Sequence, residues 1–234
     1  MGFKQIILIC ISLCLHEVAN CQVEQSLNGQ WEIIFDENNR GRDLHWYKDS
    51  TFQKNTEKRS INVPSSWELI KKDYEGVCFY RHEFEIAKEW KGKVVRINFG
   101  AVNYLSEFWL NDQVVGFHEG GFTPFEFRVD KLLKYGETNV LTARVVGPVL
   151  LSDKKIDGIG PLETPQWRGG ISGGIWQEVK LIATDEVYIE DTFIEPDLKN
   201  EEATFHLILD HSGIKATEVN LEIDISTKSD SLAT

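Results

Sequence analysis

The segment 152–172 holds the side chains in this sequence that are best suited to bind a polar ligand. It carries two carboxylates, an amide, an indole and a guanidinium within a dozen residues: Asp157, Glu163, Gln166, Trp167 and Arg168. The segment has no strand periodicity, and its glycines and prolines indicate a loop. Long polar loops on a rigid scaffold are where binding residues concentrate. The alternative is a surface loop that docks on a neighbouring domain.

Chemistry beyond binding needs motifs that the sequence lacks. It has no Cys/His spacing typical of a metal site, no glycine-rich loop for phosphates and no G-x-S-x-G nucleophile motif. We therefore expect no catalytic residue, no metal and no cofactor in this chain.

Two further groups of residues admit either a binding or a structural role. His118 and Glu119 stand before Gly120-Gly121, and we interpret them as a half-exposed pair at a bend rather than as ligands. Four tryptophans lie within strand patterns: Trp31, Trp67, Trp109 and Trp176. Indole rings suit the C–H face of a sugar, but placement inside strands favours core packing.

The elements that carry these residues are predicted to be strands. Tyr80–Ile86 alternates apolar residues with charges, and Lys93–Phe99 and Ser106–Leu110 repeat the pattern. Asn111-Asp112 predicts a tight turn into Gln113–Phe117. Similar alternation continues through 125–130 and 140–146, and Gly174–Ile182 is predicted as one closing strand. Helical periodicity is confined to one turn at 130–136. Many short strands at this spacing predict an all-β antiparallel sandwich or jelly roll.

A second unit is predicted to start near residues 183–186. Its predicted strands are Val187–Ile194, Thr204–Leu209 and Val219–Ile225, with a turn at Glu195–Asp197. An immunoglobulin-like sandwich needs about 100 residues, and the stretch from Glu186 to Thr234 supplies roughly half of that. We therefore expect the start of such a domain and an incomplete chain.

The first 21 residues are predicted to be a secretory signal peptide. Lys4 precedes the apolar run Ile6–Leu15, which is too short to span a bilayer. A lipoprotein signal with Cys21 lipidated is an alternative, although Asn20 fits it poorly. We expect a secreted or periplasmic protein without a membrane span. Cys78 then remains alone, and we expect it to be a small buried hydrophobic residue.

The charge of the chain excludes some partners. The formal net charge is -12 and the pI is about 5.0. Such a chain repels phosphate backbones and anionic lipid, so nucleic acid is not an expected partner. The sequence does not predict an oligomeric state.

Five segments in order resemble the N-terminal sugar-binding domain of glycoside hydrolase family 2, which includes β-galactosidases, β-glucuronidases and β-mannosidases. They are Leu27–Trp31, Val63–Trp67, Tyr74–Arg81, Phe108–Phe125 and Gly173–Val179. The fourth segment, FWLNDQVVGFHEGGFTPF, is similar to the family pattern almost position by position. Phe79 stands where Trp is common, and Asp112 replaces a turn glycine. The resemblance spans about residues 26–182.

The resemblance implies a galactose-binding-like jelly roll at 22–183, followed by a truncated immunoglobulin-like domain at 184–234. It implies a carbohydrate substrate and a parent enzyme that is a retaining β-glycosidase. Its two catalytic Glu, about 5–5.5 Å apart, would lie in a (β/α)₈ barrel partner domain for which this chain has no room. The loop at 152–172 would then place Asp157 or Glu163 near the sugar hydroxyls, beside Gln166, Trp167 and Arg168. The chain alone is expected to be inactive. The rival interpretations are a free-standing carbohydrate-binding module and a structural β-sandwich.

Overall fold

A computed structural model describes residues 22–164 and 172–211, together with 213, 218, 219, 221 and 223. The chain divides into two compact units, Met1–Asp185 and Glu186–Thr234. The elements of the first unit are β1 (Gln22–Ser26), β2 (Gly29–Asp36), α1 (Asp49–Phe52), β3 (Arg59–Val63), β4 (Val77–Glu85), β5 (Val94–Phe99), β6 (Val102–Asn103), β7 (Leu105–Leu110), β8 (Gln113–Glu119), β9 (Phe125–Arg128), β10 (Thr138–Val146), β11 (Gly174–Ile175) and β12 (Val179–Thr184). Short 3₁₀ turns occupy Trp67–Leu69 and Lys88–Trp90.

Two main antiparallel sheets build the first unit. One has four strands in the order β1-β12-β5-β9, and the other has six in the order β3-β2-β4-β10-β7-β8. The minor pair β11-β6 joins Gly174 to Asn103 and Ile175 to Val102. The alternation in the sequence explains the packing, since every second residue of a strand points to the same face. The predicted all-β sandwich is confirmed.

The core lies between the two main sheets. Phe99 of β5 packs against Phe108 of β7 with ring centroids 4.4 Å apart. Trp31, Ile33 and Tyr80 belong to the same buried cluster. Cys78 is also buried, as predicted, and burial raises the pKa of its thiol above its ordinary value.

A second apolar layer covers the outer face of the six-stranded sheet. Phe52 of α1 and Ile159 pack with Ile34, Val77 and Phe79 in a separate buried cluster. This layer covers Arg81 and Arg144, two charged residues on the outer face of the sheet. Arg81 is buried, and its guanidinium bonds Asp49 at 2.6 Å and Glu32 at 2.9 Å.

Two local predictions in the first unit are wrong. Residues 130–136 form turns instead of a helical turn. The Asn139 side chain bonds both the N–H and the C=O of Lys134, so these groups have partners without a helix. The closing strand is interrupted at residues 176–178, where Gly100 N–H donates to the carbonyl of Glu178 at 2.8 Å.

The described part of the second unit contains an antiparallel hairpin of β13 (Val187–Asp197) and β14 (Glu202–His211). The predicted turn at Glu195–Asp197 is part of β13. The chain turns at residues 198–201 instead, where the Asp197 carboxylate accepts the N–H groups of Lys199 and Asn200. Of the predicted strand Val219–Ile225, only Val219, Leu221 and Ile223 are described, and none lies in a strand.

Candidate functional site

Two long loops leave the six-stranded sheet at one end and a third returns to it there; we call this surface the loop end (residues 37–48, 64–76, 147–164 and 172–173). The strand register brings them together, because Val77 of β4 lies opposite Val146 of β10 and Asp36 of β2. Backbone hydrogen bonds tie the loops to one another: Gly147 N to Gly76 O at 2.9 Å and Trp67 N to Gly173 O at 3.1 Å. The loop end is therefore a connected surface.

Glu75 anchors the start of the 147–173 loop. Its carboxylate is buried, accepts the backbone N–H groups of Leu150 and Leu151, and accepts the Ser152 hydroxyl at 2.5 Å. Burial by itself raises the pKa of Glu75, but these hydrogen bonds outweigh it and lower the pKa below its ordinary value. Sequence reasoning missed this role, although Glu75 lies in the Tyr74–Arg81 motif.

Replacing Glu75 by Gln is expected to lower the free energy of unfolding at pH 7 by about 1–2 kcal/mol, because the charge-assisted bonds are lost. The folded-state pKa is depressed, so this stabilisation is present above the unfolded pKa of about 4.3 and is lost as the pH falls through the folded value. The gap between wild type and variant should therefore shrink below that pH in urea titrations. The exposed Glu57→Gln is the control and should show no gap. A gap that stays constant from neutral to acid pH would contradict the assignment.

Asp157 lies in an ion-pair network around the buried Arg144, at the edge of the protein surface. Its Oδ2 bonds Arg144 at 2.6 Å and lies 3.4 Å from Arg42, and its Oδ1 accepts from Asn39 at 3.2 Å. Burial raises the pKa of Asp157, but the Arg144 charge and hydrogen bond outweigh it, so the net pKa is below its ordinary value. Both carboxylate oxygens thus have protein partners, and the network fixes the 153–160 part of the loop.

Glu163 has fewer partners. Its Oε1 pairs with Lys155 at 2.8 Å, and its Oε2 accepts the Gly160 N–H at 3.0 Å. The neighbouring Thr164 is buried and donates to the carbonyl of Gly160 at 3.1 Å. The loop is therefore ordered by its own contacts as far as Thr164. Gln166, Trp167 and Arg168 lie outside the described residues.

The aromatic residues divide as predicted, with one exception. Trp31, Trp67 and Trp109 are buried, which confirms core packing. Trp176 is half-buried; its indole N–H donates to Gly121 O at 2.8 Å, and its ring meets Phe122 edge-on at 5.9 Å. Phe122 is 54% exposed. Trp176 and Phe122 therefore form a partly solvent-exposed aromatic pair, which the strand pattern did not predict.

The bend at Gly120-Gly121 brings His118 against the core. His118 stacks on Phe125 with ring centroids 3.8 Å apart, and burial lowers the pKa of its imidazole. Glu119 is exposed and accepts from Tyr104 at 3.3 Å. These contacts match the predicted half-exposed pair with a structural role.

Three leucines on the loop end are exposed to an extent unusual for their type. Leu69, Leu151 and Leu162 are 82%, 63% and 95% exposed. Several exposed large apolar residues close together indicate an interaction surface, whereas scattered single ones are common on any protein. Within the described residues, no helix is long and apolar enough to cross a bilayer.

The fold and this site define a β-sandwich domain that presents long, anchored loops at one end. Residues 70–185 match the family model described as "Glycosyl hydrolases family 2, sugar binding domain". Through these residues the chain belongs to that family. The segments Leu27–Trp31 and Val63–Trp67 precede the matched span.

Relatives of known type agree with this assignment. A β-galactosidase from Clostridium acetobutylicum is 28% identical over 229 residues, 88% of this chain and 24% of that protein. A β-glucuronidase from Bacteroides fragilis is 29% identical over 170 residues, 70% of this chain and 22% of that protein. The chain thus spans less than a quarter of the length of either relative. The crystal structure of Ruminococcus gnavus β-glucuronidase superposes with a TM-score of 0.67 at 22% identity, covering 81% of this chain and 34% of that one, which supports the fold.

Proposed function

We propose that this chain is the non-catalytic sugar-binding part of a secreted family 2 β-glycosidase. The loop end forms one wall of the substrate pocket, and a catalytic domain supplies the two carboxylates that cleave β-linked sugars. The family match and the β-galactosidase and β-glucuronidase relatives support the sugar class.

The observation that carries this proposal is the anchoring of residues 150–157 after β10. Glu75 holds residues 150–152, and Arg144 holds Asp157. A binding loop must keep its geometry in the absence of ligand, and these buried contacts do that. We assign Asp157 to positioning the loop, because both of its oxygens have partners. Glu163, Gln166, Trp167 and Arg168 are then the candidates for sugar contact.

The exposed leucines support contact with a catalytic domain. Leu69 lies in the 64–76 loop together with Glu75, and Leu151 donates its N–H to the Glu75 carboxylate. Apolar side chains from two connected loops can pack on a partner protein and exclude water from the contact.

Secretion rests on the signal-like residues 1–21. Export should remove them, so N-terminal sequencing of protein recovered outside the cytoplasm should begin at or after Cys21. A protein that keeps Met1 in the cytoplasm would contradict secretion, and a lipid mass on Cys21 would show a lipoprotein.

We expect the purified chain to release no product from aryl β-galactosides or aryl β-glucuronides, and turnover would contradict the non-catalytic role. Titration by NMR with methyl β-galactoside and methyl β-glucuronide should show weak, saturable binding, because one wall supplies only part of a pocket. Arg168→Ala should abolish it, and Lys131→Ala, an exposed cation elsewhere on the sandwich, should not. Equal binding by the two variants would contradict the loop assignment, and micromolar binding would favour a free-standing binding module.

A further inference from the structure

Three adjoining cavities form a groove beside the loop end, around the end of β2. Their volumes are about 430, 320 and 270 Å³. The first two share Phe35, Glu37 and Glu57, and the second and third share Asp36, Glu37 and Asn38. Ligand pockets commonly measure about 300–1,000 Å³, so the groove has room for more than one sugar ring.

The groove is much less acidic than the protein as a whole. Six cationic residues line it: Arg40, Lys58, Arg59, Lys71, Lys154 and Lys155. The four acidic lining residues are Asp36, Glu37, Glu57 and Glu75, and Glu32 and Glu163 pair with Lys58 and Lys155 from outside the lining. The cations are therefore matched by an equal number of carboxylates, whereas the whole chain carries a net charge of -12. A place that is less negative than the rest of the surface favours the approach of an anionic ligand.

Protein contacts already occupy much of the acidic charge. Asp36 is buried and accepts the N–H groups of Arg40 at 2.9 Å and Gly41 at 2.6 Å. Glu75 is engaged by the 150–152 backbone and Ser152, and Glu37 pairs with Lys71. On the basic side, Arg40, Arg59 and Lys154 have no carboxylate within ion-pair distance among the described residues. Their charges remain available to a ligand.

Apolar side chains accompany these cations. Phe35 has the Arg59 guanidinium 5.7 Å and the Lys71 ammonium 5.4 Å from its ring centroid, and Tyr74 meets it edge-on at 5.0 Å, but both rings are buried. The apolar surface that a ligand can reach is in the middle cavity, where Leu44 is 45% exposed and Trp46 is half-buried. Such a surface suits the C–H face of a pyranose, carboxylates accept from sugar hydroxyls, and the cations pair with carboxylate or sulfate groups.

We propose that the groove binds an acidic oligosaccharide, a chain of hydroxyl-bearing sugars that carry carboxylate or sulfate groups. This goes beyond the proposed function, because the described lining of the groove does not include Glu163 and its occupancy does not depend on residues 166–168 contacting sugar. Arg59 at one end, Arg40 in the middle and Lys154 at the other end are the expected contacts of the anionic groups.

The test is calorimetric titration of the chain with three tetrasaccharides: an oligoglucuronate, a neutral chain, and the same neutral chain sulfated. We expect the acidic ligands to bind at least about tenfold more tightly than the neutral one and to weaken with added salt. If the oligoglucuronate binds more tightly than the sulfated chain, the groove prefers carboxylate groups; the reverse order shows a preference for sulfate. Equal affinity for neutral and acidic chains, or no binding of either acidic chain, would overturn the proposal.

Variants locate the binding. Arg59→Ala should weaken acidic-chain binding about fivefold, the loss of one surface charge contact, and Arg59→Lys should restore most of it. Lys154→Ala tests the other end of the groove, and Lys131→Ala is the matched control outside it. These residues are exposed, so the thermal midpoint should not change. Acidic-chain binding that is lost in Trp167→Ala but unchanged in Arg59→Ala would place the ligand on the 165–171 segment and contradict the groove.

Discussion

Alanine at position 67 is expected to lower the free energy of unfolding by about 3–5 kcal/mol, the usual cost of deleting a fully buried tryptophan. Trp67 is 0% exposed and meets Tyr74 with ring centroids 5.8 Å apart. Its indole also fills the space beside Gly147 and Gly173, so its removal would open a cavity between the 64–76 loop and these two glycines. Equilibrium urea denaturation measures the loss. Leu69→Ala is the control, since Leu69 lies in the same 3₁₀ turn but is 82% exposed.

A double variant checks the cause of that loss. A Cβ at Gly173 would overlap the Trp67 ring, so Gly173→Ala alone should destabilise by about 1–3 kcal/mol through overpacking. In Trp67→Ala/Gly173→Ala the methyl group enters the vacated space, and the combined loss should be smaller than the two single losses together. Strict additivity would show that the ring and the glycine do not share this space.

Replacing Arg144 by Met is expected to lower the free energy of unfolding by about 1–3 kcal/mol, because it removes a buried cation with charge-assisted bonds to two carboxylates, which then keep only the exposed Arg42 as a cationic partner. The Arg144 side chain is 1% exposed and bonds Glu107 at 3.0 Å, Asp157 at 2.6 Å and Asn39 at 2.7 Å. The 153–160 segment should also exchange its amide hydrogens faster, since Asp157 loses its main anchor.

Arg128→Met is the comparison for that change. Arg128 pairs with Asp130 at 2.5 Å, but its side chain is half exposed, and such pairs contribute about 0–1 kcal/mol. Equal losses in the two variants would show that the Arg144 network gives no more stability than a surface pair.

Local patterns in the sequence were sufficient to predict most strands. The alternation in Lys93–Phe99 and Ser106–Leu110 corresponds to β5 and β7, because burial of one face requires a period of two. The Asn111-Asp112 turn also appears, with both residues at positive φ. Glu195–Asp197 was mistaken for a turn because Pro196 is compatible with a strand edge as well.

The parts that could not be predicted depend on contacts between distant residues. Arg81 lies on a face that the alternation marks as polar, and Arg144 lies on the neighbouring strand beside Val146, yet residues 46–52 and 156–159 cover both side chains. Nothing in their own strands reveals that cover. For the same reason Asp157 looked like a free loop carboxylate, since its partner Asn39 is 118 residues away in the chain.

The pairing of β1 with β12 sets how the sandwich would respond to mechanical tension. Gln22 lies directly opposite Thr184, so the first strand and the last strand of this unit have their outer ends side by side. If Gln22 and Thr184 are pulled apart, the force acts on the outermost β1–β12 hydrogen bond first, and the bonds then break one after another along the strand pair. Sliding two strands past each other loads all bonds at once. This edge of the domain is therefore its mechanically weak side.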